Sequence, residues 1–153
     1  MVSAGGKDNA DIINRRNILC GQINNVLCYF GKCQSVIKQK LLFAHCYSLY
    51  GNVLWDLNNR HVESVCVTWR KSLRRAWSLP SDTHCALLPV LSNALPVIDE
   101  LAKRSVRLLQ RCLSSDNYAV RFIANYGVYV GRMFSPIDRN AFFLLLSLWV
   151  RNR

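Results

Sequence analysis

The tripeptide Thr83-His84-Cys85 sets an imidazole beside a thiol, the two groups that a cysteine nucleophile and its base require. Such catalysis needs the pair face to face, with a third group orienting the base. Adjacent residues on one helix instead point about 100° apart. The pair is therefore read as structural. A second cluster, Cys28, Cys33, His45 and Cys46, has the residue types that ligate zinc. Its spacing is Cys-x4-Cys and then eleven residues before His45, which matches neither a knuckle nor a ribbon. Cys28 and Cys46 also fit apolar helix faces, so core thiols are expected. There is no phosphate-cradling Gly-rich loop, dinucleotide-binding turn or HExxH helix. The nine acidic residues are scattered, and no Asp pair is set to hold two magnesium ions for polymerase or nuclease chemistry. On its own residues the chain reads as a non-enzyme with no catalytic residue, metal or cofactor.

The cationic residues have more to say. Lys and Arg number 20 against 9 Asp and Glu in 153 residues, a net charge of +11, and 14 of the 20 are Arg. Arginine suits planar, bidentate contact with phosphate, so a polyanionic partner such as nucleic acid is indicated ahead of an acidic membrane surface. Apolar residues make up 51% and charged residues 19%, enough for one folded domain with a core and against general disorder. The seven cysteines fall mostly in helix-like apolar runs, which favours reduced thiols in an intracellular setting.

These residues must be positioned by helices. Pro and Gly are few, four and seven, and the apolar spacing is mostly helical. A polar, flexible N-terminus is expected to about Asp8, then helices over about 11–30 and 35–54. "DLNN" offers Asn58 or Asn59 as N-cap to a helix over about 60–77. "LPSDTH" ends it and offers Asp82 or Thr83 to cap a short helix over "HCALLPVL". Pro96 suits the first position of a fifth helix, with Asp99 and Glu100 in its first turn, closing near Ser114. Two more are expected over 117–132 and 138–150. The fold class is all-α, a single irregular helical bundle of about five to seven helices.

On a helical wheel Val62, Val65, Cys66, Trp69, Leu73 and Ala76 share one arc, and Arg70, Lys71, Arg74 and Arg75 share the opposite one. The fifth helix repeats the arrangement, with Val97, Ile98, Leu101, Ser105, Leu108, Leu109 and Cys112 inward and Lys103, Arg104, Arg107 and Arg111 outward. Any amphipathic helix needs a polar face, but an ordinary one mixes signs to gain ion pairs. Two faces read as free of acids point to polyanion binding through the phosphate backbone, with no base-reading motif. Trp69 is expected in the core. Trp77, beside the basic arc, could stack on a base but is expected to pack under the "SLPSD" turn.

Several stretches, in order, resemble the region downstream of the polymerase palm in non-LTR (LINE-type) retrotransposon reverse transcriptases. They are "FGK" at 30–32, the Lys-x-Lys-Leu-Leu of 38–42, "LYG" with "LWDL" within 49–57, and "WRKSLRRAWSLPSDTH" at 69–84. The likeness continues through "DELAKRSVRLLQRCLSSDN" and "GVYVGRMFSPIDRNA". It implies a helical thumb over 9–115 and a post-thumb helical extension over 116–153, behind a flexible 1–8. It also implies a surface that grips the template–primer duplex, RNA or RNA–DNA, by its backbone. The basic block so implied falls on Arg70, Lys71, Arg74 and Arg75, and His84 becomes a turn or packing residue. The family's catalytic Tyr/Phe-Ala-Asp-Asp stretch does not occur in this sequence, so polymerase activity is not implied; a truncated element copy is expected.

The N-terminus has no apolar core of a signal peptide, and "AFFLLLSLWV" at 141–150 is about half the length that spans a bilayer. An intracellular chain, cytoplasmic or nuclear and without a membrane partner, is expected. The alternative function is a helical protein-interaction module that self-associates through its apolar surplus and binds no nucleic acid.

Overall fold

The structure, a computed structural model, describes residues 5–47 and 51–130. They form α1 (Gly5–Tyr29), α2 (Ser35–Cys46), a 3₁₀ turn (Asn52–Leu54), α3 (Arg60–Ala76), α4 (Leu87–Ser92), α5 (Val97–Leu113) and α6 (Tyr118–Val130). No strand occurs among the described residues, and the fold is all-α. The helices group into two compact units. One holds α1 to α4, and the other holds the 3₁₀ turn, α5 and α6.

In the first unit α1 turns Ile12, Leu19, Ile23 and Val26 inward, one residue every one to two turns along a single stripe. It starts at Gly5, earlier than the expected 11. Its partner α3 begins where Asn59 caps it, the side-chain oxygen accepting from His61 N at 2.9 Å. All six residues assigned to the inward arc of α3 are buried, from Val62 to Ala76, and Ser72 joins them. Full burial of an aliphatic side chain such as Val65 contributes roughly 1.5–3 kcal/mol. Two side-chain bonds tie the helices at both ends. Asn59 Nδ2 donates to Asn9 Oδ1 at 2.6 Å, and Arg75 Nη1 donates to Asn24 Oδ1 at 2.8 Å. Residue number rises together along both helices, so α1 and α3 run parallel.

The second helix stops earlier than expected. It ends at Cys46, and the 3₁₀ turn at Asn52–Leu54 follows Gly51, whose φ of 83° lies in the left-handed region. A left-handed residue cannot continue an α-helix, and glycine takes that conformation without steric cost. Gln39 of α2 links three elements, its Nε2 donating to Ser92 O at 2.6 Å and its Oε1 accepting from Trp77 Nε1 at 2.9 Å. Phe43, Tyr47 and Trp69 pack beside it with centroids 4.8–5.2 Å apart.

The short α4 begins at Leu87 with no side-chain cap, so neither Asp82 nor Thr83 has the expected capping role. Thr83 Oγ1 instead donates to Pro80 O, within the turn itself. In the second unit α5 starts at Val97, one residue after the Pro96 expected at its first position, and carries Asp99 and Glu100 in its first turn, as expected. Ser105, placed inward by the wheel, is buried and donates to Val53 O at 3.1 Å, joining α5 to the 3₁₀ turn. Asn117 caps α6 by accepting from Ala119 N at 2.9 Å. The helix expected over 138–150 lies outside the described residues.

Candidate nucleic-acid interface

The four cations assigned to the basic arc of α3 divide into two pairs. Arg74 is half-buried and donates from Nε and Nη2 to Thr83 O at 3.2 and 2.7 Å. Arg70 is half-buried and paired through Nη2 with Glu63 Oε1. Glu63 stands two turns before Arg70 and shares its face, so the arc read as acid-free carries one carboxylate. Lys71 and Arg75 are exposed and make no ion pair among the described residues. Arg75 Nη1 donates to the Asn24 amide oxygen.

On α5 the same division recurs. Lys103 Nζ lies 3.8 Å from Glu100 Oε2, and Arg104 Nε lies 3.5 Å from Glu100 Oε1. This face also mixes signs at helical spacing, against the expectation of an acid-free arc. Arg107 and Arg111, one and two turns further on, are exposed with no ion pair among the described residues. Of the eight cations assigned to the two faces, Lys71, Arg75, Arg107 and Arg111 are therefore the outward ones. They are divided between the two units.

A groove of about 560 Å³ runs between α1 and α3. Lys71 and Arg75 line it together with two cations that the wheel left aside, Arg16 of α1 and Arg60 of α3. The signal for Arg16 was its place in the stripe Arg16, Cys20, Asn24 at four-residue spacing, which sets it on the α1 face turned toward α3. Arg60 precedes Ser64, Thr68 and Ser72 at the same spacing on α3. These hydroxyls are committed to the backbone, donating to His61 O, Ser64 O and Trp69 O.

The residues considered for other chemistry have local explanations. His84 and Cys85 lie in the loop before α4, not on a helix. His84 Nδ1 accepts from Ala86 N at 3.2 Å, a turn contact. Cys85 Sγ is exposed and lies 3.3 Å from Arg74 Nη2. That hydrogen bond holds its thiol below the usual thiol pKa, with the charges of Arg70 and Arg74 acting the same way. All seven cysteines are free thiols. Cys46 and Cys66 are buried, but Cys28, expected in the core, is exposed because it stands about 200° round α1 from Val26, on the face away from the inward stripe. No group of three metal-capable side chains comes together among the described residues. Trp69 is buried, and Trp77 is half-buried with its indole N–H committed to Gln39.

The second unit also exposes an apolar face. Tyr118, Phe122 and Tyr126 follow one another at four-residue spacing on α6, centroids 6.1 and 6.4 Å apart, and each is more than half exposed. Ile123 beside them is 69% exposed. No helix among the described residues is long and apolar enough to cross a membrane. No protein-family model, curated protein or solved structure matches the chain.

Proposed function

We propose that the chain holds the sugar–phosphate backbone of an RNA or RNA–DNA duplex, independent of sequence and without catalysis of its own. The role is that of the thumb region of a non-LTR retrotransposon reverse transcriptase, the family its sequence resembles. The observation that carries this reading is the set of outward cations. Lys71, Arg75, Arg107 and Arg111 remain exposed with no carboxylate bound to them among the described residues, while Arg70 pairs with Glu63, Lys103 and Arg104 share Glu100, and Arg74 is bonded to the Thr83 carbonyl. Exposed, unpaired arginine and lysine on rigid helices match the phosphate contacts that dominate non-specific binding. A fluorescence titration of a labelled RNA–DNA duplex at two salt concentrations tests it. Binding that weakens steeply with salt supports the proposal, and no binding at low salt defeats it.

A second reading, self-association without nucleic acid, is favoured by the exposed ring row of α6. Contiguous exposed apolar surface of this kind commonly marks an interface. Light scattering separates the two: a monomer across the concentration range argues against self-association. An oligomer dissolved by Phe122→Ser with Tyr126→Ser supports it.

A further inference from the structure

We infer that the α1–α3 groove is a phosphate-binding cleft, with Arg16 as its inner cation and Arg60, Lys71 and Arg75 along its α3 wall. The inference deepens the duplex-backbone reading by naming where phosphate enters and by adding two residues outside the expected basic faces.

Charge is the first reason. The groove is lined by four cations and one acid, Glu63, whose carboxylate is already bound by Arg70. The second is the state of Arg16. It is half-buried, makes no ion pair among the described residues, and its Nε is buried with no hydrogen-bond partner. A donor on a partly desolvated cation is costly when nothing accepts from it, and an anion in the groove would offset that cost. The third is pre-organisation. Asn59–Asn9 and Arg75–Asn24 fix the two helices at both ends, and the second bond also holds Arg75 along the wall. Arg60 and Arg75 stand about 22 Å apart along α3, so the cleft is long enough for more than one phosphate. Its polar floor is hydroxyl-rich, and each hydroxyl that donates to the backbone keeps lone pairs but offers no proton. Recognition therefore rests on the cations.

Inorganic pyrophosphate is the probe for the shared chemistry, and a short single-stranded RNA and the RNA–DNA duplex report whether strand-borne phosphate enters as well. Calorimetric titration of pyrophosphate is run on the whole chain and on Arg16→Gln, Arg60→Gln and, as a control outside every proposed contact, Arg121→Gln on the exposed surface of α6, each checked for unchanged helical circular dichroism. The expected result is saturable pyrophosphate binding, weakened about tenfold or more by Arg16→Gln, less by the exposed Arg60→Gln, and unaltered by Arg121→Gln. If Arg16→Gln does not fold, Arg60→Gln alone must still weaken binding for the inference to stand. Absence of pyrophosphate uptake overturns it, as does equal weakening by Arg60→Gln and Arg121→Gln. The duplex titration, run beside it, answers separately. Duplex binding without pyrophosphate uptake defeats the cleft and leaves the backbone grip, whereas pyrophosphate uptake without duplex binding leaves the cleft and defeats the grip.

Discussion

Arg74 clamps Thr83: its Nε and Nη2 both donate to the Thr83 carbonyl, at 3.2 and 2.7 Å, across nine residues. An arginine that counts by position as part of a basic surface thus closes the turn between α3 and α4. The same Nη2 reaches Cys85 Sγ, so the thiol reports on the clamp. Arg74→Gln is expected to destabilise the chain by about 1–3 kcal/mol, the cost of losing charge-assisted bonds to a carbonyl. It should also slow alkylation of Cys85, whose thiolate the guanidinium favours. Thermal unfolding and the iodoacetamide rate at Cys85 measure both, with the exposed Cys28 as an internal reference.

Ser78, two residues past α3, sits at φ 53° while Leu79 N donates back to Arg74 O at 2.8 Å. This is a Schellman ending with serine at the left-handed position where glycine is preferred. Ser78→Gly removes the Cβ clash and is expected to stabilise the chain by about 0.5–1 kcal/mol, read as a higher denaturation midpoint. An unchanged or lower midpoint would mean that the helix ends otherwise.

Burial, reinforced by the Glu63 carboxylate and opposed by Arg70, pushes the Cys66 thiol up to about 11 from an ordinary 9.0. The unfolded chain loses this proton near pH 9 and the folded chain keeps it to about 11. The contribution is therefore whole below pH 9 and is lost as pH rises from 9 to 11, by roughly 2 kcal/mol. Comparing wild type with Cys66→Ala across that window isolates it, because lysine and tyrosine titration is common to both. A difference that stays flat with pH would contradict the buried placement.

What the sequence made legible follows from local physics. The span of α3 follows from Asn59 and a six-residue apolar arc, and both are found in place. The end of α2 at Cys46 is not legible, because the apolar and aromatic run "LLFAHCYSLY" holds no glycine or proline to mark it. The basic faces were legible as positions and illegible as partners. Arg74 finds its acceptor nine residues on, in a turn whose path periodicity does not describe, and Arg70 reaches back two turns to Glu63. Arg16 is not legible as a groove residue, because its helix carries polar residues on several sides and the groove exists only once α1 packs on α3. Cys28 is exposed because α1 carries apolar residues outside its buried stripe, and Cys28 is on the side opposite Ile12, Leu19, Ile23 and Val26.

The proposed grip requires that outward cations without a carboxylate partner, and not Arg70 and Arg74, meet phosphate. Salt-dependent titration of an RNA–DNA duplex measures it most directly, comparing wild type, Lys71→Gln/Arg75→Gln, and Arg70→Gln/Arg74→Gln held well below its unfolding temperature. Each phosphate contact adds about −0.9 to the log–log salt slope, so the first double variant should lose about two units of it. The second should keep the wild-type slope. Equal loss of slope in both variants, or no binding of the wild-type chain at low salt, would contradict the claim.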